Sequence, residues 1–136
     1  MLDRIDHVGI AVPELEPAIS FYEKTLGMPL VHREKVTEQG VEAVLLDVGD
    51  GHIELLEPLG DDTPVGKFLA KKGPGLHHVA YAVPDVSAAL ETLSSQGVEL
   101  IDTEPRRGIR DSLVAFLHPR SSGGGLTEIV QPAEVH

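Results

Sequence analysis

Leu76-His77-His78-Val79-Ala80-Tyr81-Ala82-Val83-Pro84 is the second copy of a pattern first met at Ile5-Asp6-His7-Val8-Gly9-Ile10-Ala11-Val12-Pro13. Both read as apolar strands with a histidine in third place and a proline at the end. His78 follows His7 by 71 residues (78 − 7). A second matched pair closes each half, Ile53-Glu54-Leu55-Leu56-Glu57-Pro58 against Thr127-Glu128-Ile129-Val130-Gln131-Pro132, and here Glu128 follows Glu54 by 74 residues (128 − 54). A fixed internal period is the signature of a duplicated structural unit. Each half therefore opens on a strand carrying a histidine and closes on a strand carrying a glutamate. Two histidines and two glutamates at duplicated positions suit a divalent metal ion.

The period of two along a strand puts Ile5, His7, Gly9 and Ala11 on one face, and in the second copy Leu76, His78, Ala80 and Ala82. Small side chains beside a histidine leave a cavity, whereas a packed core calls for large ones. The pattern thus favours a site. On the last strands Glu54 shares its face with Leu56, and Glu128 with Leu126 and Val130; a carboxylate on so apolar a face is costly to bury without a cation nearby.

Between these strands the two halves run in parallel. Glu16-Pro17 opens a helix whose Ile19, Tyr22 and Leu26 form one stripe, with Gly27 as its C-cap. In the second half Asp85 is the N-cap, Val86, Ala89, Leu90 and Leu93 the stripe, and Gly97 the close. Strands are expected over 30–33 and 41–48, separated by a polar turn at Glu38-Gln39-Gly40, and Asp50-Gly51 turns the chain into a strand over 52–57. The counterparts lie at 99–102, 113–117 and 126–131, with a loop at 121–125, and a short helix beginning on proline joins the halves over 64–72.

The fold class is accordingly α+β: two tandem βαβββ modules, about 4–60 and about 75–132, with a connecting helix at about 63–72. At 136 residues the chain fits one domain. Cysteine is lacking, so disulfides, thiolate ligands and a cysteine nucleophile are excluded. No apolar run approaches the roughly 18 residues of a membrane span, and a cytoplasmic location is expected. The net charge of −11, from 11 Lys+Arg against 22 Asp+Glu, disfavours nucleic acid and anionic membranes as partners. Two local basic patches remain for an anionic small substrate: Lys67, Lys71 and Lys72 between the modules, and Arg106, Arg107 and Arg110 in the second.

Imidazole and carboxylate donors without thiolate suit Co, Ni, Mn, Fe or Zn, with open positions for substrate oxygens. The bland alternative makes His7 and His78 hydrogen-bonded core residues, and Glu54 and Glu128 solvated strand residues. Duplication of all four favours the metal set. His77 lies on the opposite face from His78 and takes a structural or surface role, while His32, His52, His118 and His136 have no repeat partner to recommend them.

The paired modules with their His and Glu positions resemble the vicinal oxygen chelate superfamily, which includes glyoxalase I. Within it the chain is similar to the methylmalonyl-CoA epimerases. The most specific runs are Ile5-Asp6-His7-Val8-Gly9-Ile10-Ala11-Val12, Gly75-Leu76-His77-His78-Val79-Ala80, Phe116-Leu117-His118-Pro119-Arg120-Ser121-Ser122-Gly123-Gly124 and the final Leu126-Thr127-Glu128-Ile129-Val130-Gln131. The resemblance implies that the two modules form a curved, partly open barrel around a metal site with the helices outside, and that the chain is an isomerase that interconverts (2R)- and (2S)-methylmalonyl-CoA by 1,1-proton transfer through a metal-stabilised enolate. It implies His7, Glu54, His78 and Glu128 as ligands to a divalent ion, Co2+ first and Mn2+, Ni2+ or Zn2+ as alternatives.

Epimerisation wants a base on each face of a planar intermediate. Glu128 is the choice for one, because a carboxylate at or beside the metal can leave it and reach the substrate. The family's other base is a glutamate on the strand after the polar turn. Here the nearest carboxylate, Glu42, stands one residue early, with Ala43 at the matching place. A one-residue slip turns a strand side chain to the other face. Either a bulge restores Glu42 to the site, or the second base is another group, such as a metal-bound water. Lys71, Lys72, Arg106, Arg107 and Arg110 are implied as contacts for the acyl-CoA phosphates, and a homodimer is implied as well. The rival readings are a glyoxalase I-like lactoylglutathione lyase, a non-catalytic binding protein of the same fold, and, less well matched to four ligands, an extradiol dioxygenase.

Overall fold

The computed structural model describes residues 1–133. In chain order the elements are β1 (Arg4–Ala11), α1 (Leu15–Ile19) running on into a wider π turn (Ser20–Thr25), β2 (Leu30–Val36), β3 (Val41–Val48), β4 (Gly51–Pro58), α2 (Pro64–Lys72), β5 (Gly75–Ala82), α3 (Val86–Ser95), β6 (Arg106–Arg107), β7 (Leu113–Leu117) and β8 (Thr127–Gln131). This is the βαβββ pattern twice, with α2 between, as the internal repeat predicts. The chain divides into two compact units, residues 7–77 and residues 1–6 with those from 78 onward. The division cuts through β1 and β5 just before each repeated histidine.

Strands run in the order β2-β3-β4-β1 in the first unit and β5-β8-β7-β6 in the second. In both, the histidine strand lies parallel to the glutamate strand, β1 to β4 and β5 to β8, while the remaining pairs are antiparallel. Parallel neighbours need a crossover, and the intervening helix and strands supply it. α1 and α3 each pack apolar side chains on one sheet face, although Leu26, expected on the first stripe, is 51% exposed. Val12, Leu15 and Ile19 meet Val44, Leu46 and Leu55 in the first unit; Val83, Val86, Ala89 and Leu90 meet Ala115 and Ile129 in the second. Leu55 and Ile129, the residues next to the repeated glutamates, are buried under those helices. Burial of a side chain of this size is worth roughly 1.5–3 kcal/mol.

Another repeated pair serves the helices. The Glu57 Oε1 accepts the Leu15 N–H at 2.8 Å, and the Gln131 Oε1 accepts the Val86 N–H at 3.0 Å. Both satisfy an orphan donor at a helix start. At α2, Thr63 is the N-cap and its hydroxyl accepts from the Gly66 N–H at 3.0 Å, ahead of the predicted proline.

Other local expectations are corrected too. The stretch at 99–102 forms no regular strand: Leu100 bridges to Leu117, the Ile101 and Asp102 N–H groups both donate to the Phe116 carbonyl, and the His118 N–H donates to the Glu99 carbonyl. The Asp102 Oδ2 takes the Phe116 N–H at 2.9 Å, a side chain occupying the ladder's donor, and regular pairing resumes only at β6. The β3–β4 turn is Gly49-Asp50, with Val48 opposite Gly51 and Gly49 at φ 57°, one residue before the predicted centre. Ile5 and Leu76 are 53% and 62% exposed, so the buried run on each histidine face begins at the histidine itself. Among the described residues no helix is long and apolar enough to cross a membrane.

Candidate metal centre

In the first unit His7 lies on β1 and Glu54 beside it on β4. The parallel register sets Gly9, not His7, opposite Glu54. A glycine there offers no side chain in the way, so the carboxylate can lean along the sheet toward the imidazole. The His7 Nε2 and Glu54 Oε1 are 3.3 Å apart, and both residues are buried, 6% and 7% exposed. The second unit repeats the arrangement. Glu128 on β8 stands opposite Ala80 on β5, the His78 Nε2 and Glu128 Oε1 are 2.8 Å apart, and both residues are 4% exposed.

These separations fit a metal. Two donors about 2.1 Å from one ion and at right angles to each other lie about 3 Å apart. Each pair offers one imidazole nitrogen and one carboxylate oxygen at close to that spacing. Buried charges demand a partner. The small faces foreseen in the sequence are present: Gly9 and Ala11 beside His7, and Ala80 and Ala82 beside His78, are all buried. Apolar side chains lie on the neighbouring strands, where Ala80 of β5, Val114 of β7 and Val130 of β8 pack together. Phe116, in register with Glu128, turns its ring edge to His78 with centroids 5.6 Å apart.

Glu42 does not join them. The β3–β4 register runs unbroken from Val41 opposite Pro58 to Val48 opposite Gly51, so no bulge intervenes. Leu45 stands opposite Glu54 and Glu42 opposite Glu57, which puts Glu42 on the helix-side face with Val44 and Leu46. There its Oε2 accepts from the Arg33 Nε at 2.8 Å, and Arg33 also pairs with Glu16 at 2.9 Å. Hydrogen bonds to Glu42 and then Glu16 raise the Arg33 guanidinium above its ordinary pKa. On the Glu54 face, the residue of this strand stretch is Ala43, fully buried opposite Leu56.

The cationic candidates lie on exposed surface. Lys71 and Lys72 form the last turn of α2, with the Lys72 Nζ 5.9 Å from the Phe68 ring centre. Arg106 is placed to matter more. Its guanidinium lies 5.8 Å over Phe116, the ring that flanks His78, while its Nε holds Asp102 at 3.1 Å. Arg107 is ion-paired to Asp111, and Arg110 sits in the left-handed region at φ 55°. His77 packs its ring edge on Phe68, 4.9 Å between centroids, in keeping with a structural role. His52 pairs with Asp47 at 3.0 Å, and the His118 Nδ1 accepts the Arg120 N–H at 3.1 Å to cap a short turn. His136 lies outside the described residues.

Sequence reading missed one pair. His32 Nε2 and Glu34 Oε1 are 2.8 Å apart on β2, in register with Leu45 and Ala43, and so on the Glu54 face of the sheet. The register shift between Leu30 and His32 sets that orientation, and nothing in the local sequence announces it.

Residues 6–116 match the model of the Glyoxalase/Bleomycin resistance protein/Dioxygenase superfamily. The ethylmalonyl-CoA/methylmalonyl-CoA epimerase of Cereibacter sphaeroides is 38% identical over 133 residues, covering 96% of this chain and 99% of the relative. The mitochondrial methylmalonyl-CoA epimerase of Mus musculus is 40% identical over 131 residues, covering 96% of this chain and 74% of the relative. Among solved structures, a singly substituted Streptomyces coelicolor methylmalonyl-CoA epimerase in complex with 2-nitronate-propionyl-CoA superposes with a TM-score of 0.96 at 42% identity, over 100% of this chain and 99% of that one. The chain belongs to the glyoxalase/bleomycin resistance protein/dioxygenase superfamily, as a homologue of its methylmalonyl-CoA epimerases.

Proposed function

We propose that this chain is a metal-dependent methylmalonyl-CoA epimerase, its divalent ion held by His7, Glu54, His78 and Glu128 together. One observation carries the reading: each unit buries an imidazole and a carboxylate at ligand spacing, at repeat-related positions, in a homologue of epimerases. The donor set is all nitrogen and oxygen, which favours Co2+, with Mn2+, Ni2+ or Zn2+ as alternatives. A divalent ion bound there supplies Lewis-acid stabilisation for the negative charge that develops on the substrate oxygens.

The chain's own residues do the rest. Glu128 faces one side of C2 and exchanges its proton. Its surroundings of Ala80, Val114 and Val130 keep water from competing, and Phe116 fixes the His78 ring against which Glu128 rests. Arg106, Arg107 and Arg110, with Lys71 and Lys72, offer exposed cationic ends to the phosphates of the acyl-CoA tail, a local exception on a chain of net charge −11.

The test is proton NMR of a single methylmalonyl-CoA epimer in D2O, with cobalt-loaded protein and again with excess chelator. Cobalt-dependent loss of the C2 proton together with loss of optical purity is the expected result. No exchange above background from folded, metal-loaded protein contradicts the reading; turnover of a glutathione hemithioacetal in its place assigns the chain to the lyases.

A further inference from the structure

Inversion at C2 requires a proton to leave by one face and return by the other, and Glu42 is turned to the helix side of the sheet. The β2 bulge solves the same problem by other residues. Leu30 stands opposite Leu46 and packs with the helix-side core, whereas His32 stands opposite Leu45, the next residue of β3. Two residues of β2 thus face one step of β3, and an extra residue in one strand re-aims every side chain beyond it. In consequence His32 and Glu34 lie on the face of Glu54, in rows that read His32-Leu45-Glu54 and Glu34-Ala43-Leu56.

Directly opposed strand residues have Cβ atoms about 5 Å apart, so Glu34 stands beside the small methyl of Ala43, and Ala43 in turn beside Leu56 on the glutamate strand. Access differs too: the Glu34 and His32 side chains are 36% and 30% exposed, open to a substrate entering from that face. The His32 Nε2 lies 2.8 Å from the Glu34 Oε1 and fixes its direction.

We propose that Glu34 is the second proton-transfer carboxylate, with His32 as its positioning residue; the inference rests on the epimerase reading above. In one direction the Glu34 carboxylate takes the C2 proton, the C–H pair moves into the enolate and its charge onto the thioester oxygen. Glu128, which starts this direction protonated and so does not serve as a ligand in it, delivers its proton to the opposite face of C2 as the thioester re-forms. Glu34 then loses its proton to solvent and Glu128 regains one. The other epimer reverses the roles.

Glu34→Gln separates the two faces. With each pure epimer in D2O and metal-loaded protein, the variant is expected to lose inversion by about 100-fold or more. It keeps deuterium exchange with retention for the one epimer whose proton faces Glu128. Glu34→Asp, which keeps the carboxylate but draws it back, retains more inversion than Glu34→Gln. His32→Leu lowers kcat for inversion while KM holds. Inversion undiminished in Glu34→Gln, or exchange lost equally from both epimers in folded, metal-loaded variant, overturns the assignment of Glu34. Wild-type protein that neither exchanges nor inverts overturns the epimerase reading itself, and this inference with it.

Discussion

Single residues decide which carboxylates reach the chemistry. Glu42 and Ala43 are neighbours in sequence and opposites in space, and the unbroken register of β3 on β4 makes the difference. Glu42→Gln therefore leaves epimerisation near the wild-type rate. Its cost falls on stability, about 0.2–1 kcal/mol for loss of a half-exposed ion pair with Arg33, measured by urea titration. Glu128→Gln acts oppositely. It removes a proposed ligand and a proposed base at once, and both cobalt affinity and turnover fall by about 100-fold or more. Equilibrium dialysis against cobalt checks the first effect and the NMR exchange assay the second.

At the scale of elements, the legible features were those written twice. The duplicated histidine strands, glutamate strands and helix stripes set out both modules because the periods of two and 3.6 act locally and repeat along the chain. Features made by long-range pairing were not legible. The β2 bulge that turns His32 and Glu34 depends on where β3 lies, and the stretch at 99–102 reads as a strand until Asp102 reaches the Phe116 N–H. The repeated Glu57 and Gln131 were visible as a pair, yet only the structure shows them capping helices. Two element-level predictions follow from packing. Leu55→Ala empties the junction of α1 with β3 and β4 and costs about 2–5 kcal/mol in chemical denaturation. At Gly66, inside α2, an added Cβ would collide with the Gly60 carbonyl oxygen. Gly66→Ala is thus destabilising despite alanine's better helix propensity, and a lowered melting temperature checks it.

For the whole molecule, duplication explains why an acidic chain buries two carboxylates and two imidazoles. In the proposed centre each unit would supply half of a donor set, and a cation that binds the folded form alone stabilises it by mass action, by about 2.7 kcal/mol at a hundred times its dissociation constant. Calorimetric titration of chelator-stripped protein with Co2+, on the wild type and on His7→Ala and His78→Ala, tests most directly that both donor pairs serve one ion. One ion per chain is expected, with tight binding lost from either variant. Two ions per chain, or one that survives the loss of either histidine, would contradict it.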